Sequence, residues 1–219
     1  MIMPTSTRRF RRVIIDIDTQ RHFFMDTGVV CVSNHRRILS NIRRTMAWAR
    51  LQKIRMISTV QICGMNTPFC VSCKFDPTGQ EKVHYTLRNR YTKFDACDST
   101  DLPLKLFSKY DQLIFSKRCF DPFEEPRIDR ILTELDTDEF ILIGAATEGA
   151  VKATALGLLA RQKKITIIVD AIGAYDPKIA ETILHHLWAK GTQFTDTQAF
   201  LGSSRLQFAR GCSHSYQKI

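Results

Sequence analysis

The segment Phe140-Ile-Leu-Ile-Gly144-Ala-Ala-Thr-Glu-Gly-Ala150-Val-Lys-Ala-Thr-Ala155 decides the fold of this chain. Its first four residues are all apolar, as in a strand that is buried on both faces. A glycine then ends the strand, and the small residues that follow are typical of a helix packed closely on a sheet. The segment therefore predicts a buried strand, a tight turn and a helix that continues to about Arg161.

The same alternation of short apolar runs and helical patterns extends through the chain. We predict six strands, at Val13 to Asp18, Ile54 to Val60, Gln112 to Ser116, Phe140 to Ile143, Ile165 to Val169 and Gln193 to Thr195. Further helices are predicted at about Asn34 to Lys53, Ile128 to Leu135 and Pro177 to Lys190. The alternation predicts an α/β fold, a three-layer α/β/α doubly wound sandwich with a mostly parallel sheet of about six strands.

The length and composition fit one domain. The chain has 219 residues, of which 44% are apolar, and this is enough for a substantial core. We predict a single domain over residues 1–219. An irregular stretch at about residues 62–110 is too long for an ordinary loop, so we interpret it as an insertion that covers the site.

Several classes of protein are disfavoured by composition. No apolar run reaches the roughly 18 residues that span a bilayer, and no apolar stretch typical of a secretory signal stands at the N-terminus. We therefore expect a cytoplasmic protein without a membrane partner. The seven cysteines are odd in number and irregularly spaced, so we expect free thiols rather than a disulfide framework.

The net charge of +10 raises the question of nucleic-acid binding. Arg36, Arg43 and Arg50 are seven residues apart, so they form a stripe on the predicted helix, flanked by Arg37 and Arg44. An amphipathic helix normally turns such a charged face to water. Aromatic residues for base stacking are not interleaved with the arginines, so nucleic acid is an unlikely partner and a remote alternative.

Polar groups follow three of the predicted strands. In an open parallel sheet, ligands collect at the carboxyl ends of the strands. The three ends are marked by Asp16 and Asp18, by Lys117, and by the turn Gly144–Ala150. These positions are the candidate site.

The motifs at these strand ends resemble those of the isochorismatase-like hydrolases, a superfamily that includes nicotinamidases and other cysteine amidohydrolases. Ile17-Asp18-Thr-Gln20-Arg-His-Phe23 is similar to the hydrophobic-Asp-x-Gln-x-x-Phe pattern of the family's first strand. Phe115-Ser-Lys117 resembles the strand end with the catalytic lysine. Gly144-Ala-Ala-Thr147-Glu-Gly-Ala150-Val151 resembles the Gly-x-x-Thr-x-x-Cys-Val turn, with alanine at the cysteine position.

Two further motifs extend the resemblance through most of the chain. Asp170-Ala171 matches the pair that closes the family's fifth strand. Ser72-Cys-Lys-Phe-Asp-Pro-Thr78-Gly79 is similar to the loop His-Cys-x-x-Gly-Thr-x-Gly, with serine in place of histidine. The order of the motifs implies the isochorismatase-like fold and a shared pocket.

The resemblance implies an acid–base role for Asp18 with Lys117 as its electrostatic partner. In the cysteine hydrolases an aspartate takes the proton of a thiol, and the thiolate attacks an amide carbon. By the same resemblance the backbone amides of Ala146 and Ala150 form an oxyanion hole, and the Ala145-Ala146 peptide is cis. Thioester chemistry is excluded at position 150, because a methyl group is not a nucleophile.

A branch of the family without the cysteine suggests what could replace this chemistry. The isochorismatases proper cleave a vinyl ether, keep the aspartate and lysine, and have a small residue at the turn. Asp18, Lys117 and Ala150 fit that arrangement. We therefore expect either acid–base hydrolysis of a small molecule of the vinyl ether or amide type, or a catalytically inactive protein that binds a small molecule or a partner protein.

The resemblance also suggests which residues meet the substrate. These are Gln20, Phe23, Ala146 and Thr147. No cofactor is implied, and a homo-oligomer is expected because family members commonly form dimers or larger assemblies. Substrate identity is not readable from these residues.

Alternatives remain open at some positions. Asp16, two residues before Asp18 and expected on the same strand face, could be the relevant carboxylate. Cys119 could supply a relocated thiol. The metal ligands of nicotinamidases are absent, because the chain reads Ser58-Thr-Val-Gln61 where they would stand.

A structural zinc site is a further alternative. Cys70 and Cys73 have the spacing of a zinc knuckle, with Cys63, His84 or Cys97 as completing ligands. A second Cys-x-x-Cys pair is missing, so we predict no metal.

Overall fold

The computed structural model describes residues 11–26, 28, 30–62 and 77–202. Seven parallel strands form one sheet. They are β1 (Arg12–Ile17), β2 (Arg55–Gln61), β3 (Tyr91–Phe94), β4 (Gln112–Lys117), β5 (Glu139–Gly144), β6 (Ile165–Ile172) and β7 (Gln193–Thr195). Their order is β3-β4-β2-β1-β5-β6-β7. The predicted parallel α/β sheet is confirmed.

Helices connect the strands and cover both faces. They are α1 (Arg21–Phe24), α2 (His35–Leu51), α3 (Leu106–Lys109), α4 (Pro126–Glu134), α5 (Lys152–Ala160), α6 (Pro177–Ala189) and α7 (Thr197–Gly202). Short 3-10 turns lie at Pro77–Gln80, His84–Thr86 and Pro122–Glu124, and a π-type turn lies at Thr147–Val151. No described helix is long and apolar enough to cross a membrane.

Two cores lie on opposite faces of the sheet, because alternate side chains of each strand point to opposite sides. On one face, Ile15 of β1 packs with Leu132 of α4 and Leu158 of α5. On the other face, Ile14 of β1 packs with Ile42 and other apolar residues of α2. The three-layer sandwich is thus confirmed.

One strand differs from the sequence prediction. β3 lies within the stretch predicted to be irregular, and it pairs in parallel with β4 from Tyr91↔Gln112 to Phe94↔Phe115. The sheet therefore has seven strands instead of about six. The strand escaped prediction because it is only four residues long, lies at the edge and is only partly buried.

The strand order places the site. The chain moves from β1 outward to β2 and β4, then returns to the other side of β1 as β5. The two halves of the sheet therefore diverge between β1 and β5, and such a switch point leaves a crevice at the carboxyl ends of the strands. Ile17 of β1 is paired with Gly144 of β5 at that point. Asp18 and the turn after β5 consequently begin side by side.

Candidate active site

A buried ion pair lies where β1 and β4 end. Lys117 Nζ is 2.8 Å from Asp18 Oδ2, and the two side chains are 0% and 2% exposed. Thr59 of β2 donates a hydrogen bond of 2.6 Å to Asp18 Oδ1. Since β2 lies between β1 and β4, the lysine reaches across one strand to the aspartate. The structure thus brings together the two residues that the sequence assigned to acid–base chemistry.

The other contacts of Lys117 use all of its hydrogen-bonding capacity. Its Nζ also donates to Gln61 Oε1 at 2.5 Å and to the Cys119 carbonyl at 3.0 Å. An ammonium group has three hydrogens, and here each has an acceptor. Lys117 is therefore placed to hold Asp18 and balance its charge, with no free hydrogen for a ligand.

Gln20 and Gln61 connect this pair to the surrounding loops. The backbone amide of Gln61 donates to Gln20 Oε1 at 2.8 Å. In return, Gln20 Nε2 donates to the carbonyls of Gln61 and Gln80, each at 2.9 Å. Gln20, which the resemblance assigned to substrate binding, thus ties the end of β2 to the segment that begins at Pro77.

The turn after β5 has the geometry that the resemblance implied. Gly144 has φ of +120°, and a Cβ there would lie 1.9 Å from the Ile17 carbonyl oxygen, so only glycine fits. The Ala145-Ala146 peptide is cis, as predicted. Thr147 donates to the Gly173 carbonyl from its backbone amide at 2.8 Å and from Oγ1 at 2.9 Å. Its hydroxyl hydrogen is therefore used to anchor the turn.

Ala150 lies in the first helical turn after this bend. The residue is 2% exposed and belongs to the same apolar core as Ile17. The turn is π-type, since the amide of Val151 donates to the carbonyl of Ala146, five residues earlier. Such turns are frequent at functional sites. Position 150 offers a methyl group, which is not a nucleophile.

A cavity of about 630 Å³ opens beside this arrangement. Gln20, Phe23, Gln61 and Cys119 form one part of its wall, and residues at the start of α5, including Lys152, form another. The described lining contains two of the predicted substrate-binding residues, Gln20 and Phe23. It does not contain Asp18, Lys117, Ala146, Thr147 or Ala150. Asp18 and Lys117 thus lie outside the described lining, and Lys117 contacts two lining residues, Gln61 and Cys119.

The expectation that Asp16 shares the face of Asp18 is wrong. Asp16 accepts a hydrogen bond of 3.0 Å from Ser58 and lies 2.8 Å from Lys82 Nζ, on the face of the sheet that α2 covers. Asp18 has φ of +48°, so the chain bends before it and its side chain leaves the alternation of the strand. The two aspartates therefore form separate buried pairs on opposite faces.

Cys119 lines the cavity, but its thiol is not activated. A hydrogen bond with Glu124 and partial burial raise the pKa of the Cys119 thiol above its ordinary value. A thiol needs a lowered pKa to act as a nucleophile at neutral pH. Its carbonyl has a defined function instead, since it accepts a hydrogen bond from Lys117.

The residues at the end of β2 do not form a metal site. Ser58 donates a hydrogen bond to Asp16, and Gln61 is hydrogen-bonded to both Lys117 and Gln20. Among the described residues, no group of three or more His, Cys, Asp or Glu side chains could hold a metal ion. The alternative zinc ligands Cys63, Cys70 and Cys73 lie outside the described residues.

Four residues of this region were not predicted from the sequence. Thr59 and Gln61 contact the acid–base pair, and both lie at the end of a predicted strand, where they could have been suspected. His22 and Glu148 line the cavity. The sequence holds no signal for them, because their significance depends on which of their atoms lack partners in the folded chain.

Comparisons with known proteins agree with this fold. The family model of the isochorismatase domain matches residues 12–199. An isochorismatase-like hydrolase from Alkaliphilus metalliredigens has a TM-score of 0.68 and 18% identity, covering 88% of this chain and 97% of that one. No curated protein sequence matches the chain.

Two other solved structures show how diverse the proteins with this fold are. The pyrazinamidase of Pyrococcus horikoshii, in complex with zinc, has a TM-score of 0.63 and 20% identity, covering 85% of this chain and 99% of that one. The MAR1 ribonuclease of Caenorhabditis elegans has a TM-score of 0.61 and 18% identity, covering 88% and 80%. At these identities the likeness concerns the fold.

Proposed function

Because the chain belongs to the isochorismatase family, whose members are hydrolases, we propose that it hydrolyses a small molecule of the vinyl ether or amide type without a cysteine. Asp18 is the proton-transfer group and Lys117 is its electrostatic partner. The observation that carries the proposal is their buried contact of 2.8 Å beside the cavity.

The chemistry follows from a carboxyl group held in one position. With a vinyl ether, protonated Asp18 gives its proton to the terminal carbon, water adds to the adjacent carbon, and the hemiketal breaks into a carbonyl compound and an alcohol. With an amide, ionised Asp18 takes a proton from water as the water attacks the carbonyl carbon, and it then gives that proton to the nitrogen as the C–N bond breaks and the amine leaves. Thr59 and Lys117 fix one carboxyl oxygen each, so the carboxyl group needs no reorientation during either reaction.

Substitution of the acid–base pair tests this function. We expect Asp18→Asn to lower kcat/KM by about 100-fold or more, because general acid–base catalysis contributes roughly 10²- to 10⁴-fold. Lys117→Ala should have a comparable effect, and Lys117→Met, which keeps the buried stem, should match it. Product formation from a panel of small amides and vinyl ethers is the measurement.

Asp16→Asn is the matched control for Asp18→Asn, because it alters the buried aspartate–lysine pair on the opposite face of the sheet. Per folded molecule, it should keep much more activity than Asp18→Asn, because the described contacts of Asp16 are with Thr19, Ser58 and Lys82. If Asp18→Asn and both Lys117 variants hydrolyse the substrate as fast as the parent, the assignment is wrong.

Binding without catalysis is the second candidate. It is favoured by the methyl group at position 150 and by the cavity lining, which lacks Asp18 and Lys117 in its described part. In that case the panel of amides and vinyl ethers gives no product, while one of its members raises the melting temperature. Hydrolysis that depends on Asp18 would eliminate this candidate.

Nucleic-acid binding through α2 is the remaining alternative, and two contacts weigh against it. Arg43 lies over the ring of Tyr85 at 5.9 Å, and Arg50 donates to the carbonyls of Tyr85 and Leu87. Part of the basic stripe therefore packs on the neighbouring segment of the chain. We rank this alternative last.

A further inference from the structure

His22 is a buried polar residue with unused hydrogen-bonding capacity. It lines the cavity, and the residue is 2% exposed. Neither Nδ1 nor Nε2 has a hydrogen-bond partner within the described residues. Buried polar groups in folded proteins nearly always have a partner, which is often water or a ligand. The imidazole thus needs an explanation.

The surrounding chain is shaped to accept this ring. A Cβ at Gly79 would lie 2.1 Å from His22 Cε1, so the ring packs directly on the glycine backbone. A Cβ at Gly28 would lie 2.2 Å from the His22 carbonyl oxygen. A phenyl ring would occupy nearly the same space without two unpaired nitrogens. Packing alone therefore does not account for a histidine here.

Glu148 lines the same cavity and supplies a second unpaired atom among the described residues. Its Oε1 accepts hydrogen bonds from the backbone amides of Tyr175 and Asp176, both at 2.9 Å. Its Oε2 is buried and has no partner within the described part of the chain. Because a carboxylate oxygen is only an acceptor, it calls for a donor.

The other polar side chains near these two have partners or reach water. Gln20 and Gln61 hydrogen-bond with each other and with neighbouring residues, as described above. Arg118 pairs with Glu125 at 2.9 Å and with Asp98 at 2.7 Å. Lys152 is partly exposed, so its ammonium can be hydrated. Within the described residues, by contrast, both ring nitrogens of His22 and the Oε2 atom of Glu148 are buried without a hydrogen-bond partner.

We propose that His22 and Glu148 provide the polar contacts of the cavity, and that they select an uncharged ligand with both a hydrogen-bond donor and an acceptor. The ligand donor meets Glu148 Oε2, and His22 serves as the second hydrogen-bonding group. Phe23, Phe120 and Leu156 in the wall receive an apolar body. A carboxylate ligand is disfavoured, because it would bring a second negative charge to Glu148. The inference rests on the proposed function only in treating this cavity as the substrate site.

Binding of three probes of similar shape tests this selectivity without turnover. Benzamide has a donor and an acceptor, methyl benzoate has acceptors alone, and benzoate is an anion. By calorimetry, the parent should bind benzamide about tenfold more tightly than either of the others, as expected for one hydrogen bond to a charged group. Kd is independent of hydrolysis, so a failure of the proposed chemistry at Asp18 leaves this result unaffected.

Two variants assign the effect to the residues. His22→Phe should raise the Kd of benzamide about tenfold. Its melting temperature should stay level or rise, because two nitrogens without partners among the described residues are removed. Gly79→Ala keeps the histidine but displaces its ring, so it should raise the Kd of benzamide by a similar factor. Glu148→Gln places an amide donor at the Oε2 position. The ratio of the Kd of methyl benzoate or benzoate to the Kd of benzamide should therefore fall about tenfold. The exposed residues of α6 provide matched controls in His185→Phe and Glu181→Gln, which should bind all three probes like the parent.

The proposal is overturned if the parent binds none of the probes, or binds benzoate as tightly as benzamide. It is also overturned if His22→Phe or Glu148→Gln behaves like its control. A large fall in the melting temperature of His22→Phe would likewise contradict it, since that result assigns the ring to the fold.

Discussion

Ala150 differs from cysteine by a single sulfur atom, and much of what a thiol would require is in place around it. The π-type turn, the cis peptide and the buried pair of Asp18 and Lys117 are all present. By the resemblance, position 150 is where a cysteine nucleophile would stand. Placing a cysteine there tests whether the surrounding groups are aligned for nucleophilic catalysis.

We expect Ala150→Cys to release ammonia from small amides above the level of the parent. The added sulfur enters a residue that is 2% exposed, so about 1–3 kcal/mol of stability should be lost through overpacking. Ammonia release and chemical denaturation are the measurements. The gain should vanish when Asp18→Asn is added.

Ala153→Cys is the matched control, because Ala153 lies in the next helical turn and lines the same cavity. It should give no gain. Equal ammonia release by the two cysteine variants, or none from Ala150→Cys, would contradict the expectation that the groups around position 150 are aligned for a thiol.

Among the elements, the segment from Pro77 to Arg88 has the most direct influence on the site. Lys82 forms an isolated antiparallel bridge with Gln20, and Val83 donates to the Thr19 carbonyl. The Lys82 ammonium, 4% exposed, also pairs with Asp16 beneath the segment. The segment thus holds the loop that follows β1, and this loop positions Asp18.

The buried pair of Asp16 and Lys82 should be costly to break. Lys82→Met leaves Asp16 buried without its counter-charge, so we expect a loss of about 3–5 kcal/mol in the free energy of unfolding. The double variant Asp16→Asn/Lys82→Met should recover a large part of it. Urea denaturation is the measurement, with Lys190→Met on the exposed end of α6 as control. Equal stability of Lys82→Met and the control would contradict a stabilising role for the Asp16–Lys82 pair.

The strands and the contact between Asp18 and Lys117 were predictable from the sequence, while a catalytic role for the two residues is a proposal. The apolar composition of long strands such as β5 and β6 predicts them directly. The position of Asp18 and Lys117 at strand ends indicates that they lie near a site. The face of Asp16 was not predictable, because one positive φ at Asp18 reverses it. Nor was the partner of Asp16, since Lys82 comes from a segment without a regular pattern.

The distribution of charge matters on the scale of the whole molecule. The net charge of +10 creates a general attraction for polyanions. Several arginines are nevertheless paired internally, as Arg118 is with Glu125 and Arg161 with Asp129. We therefore expect the attraction of the protein for nucleic acid to be diffuse.

Salt should therefore abolish nucleic-acid binding. We expect a single-stranded DNA or RNA 20-mer to bind weakly at low salt and to lose detectable binding at physiological salt, because counterion release is then the main driving force. Fluorescence anisotropy across a salt series is the measurement. Tight binding that persists at physiological salt and falls in Arg37→Ala would overturn this ranking.

The sheet ends in β3 at one side and β7 at the other, with only four and three residues respectively. An edge strand presents unpaired amide and carbonyl groups that can recruit a foreign chain, and short edges limit that recruitment. β3 also carries the exposed Lys93, a charge that a pairing strand would have to bury. We therefore expect these two short edge strands to resist aggregation through added strands.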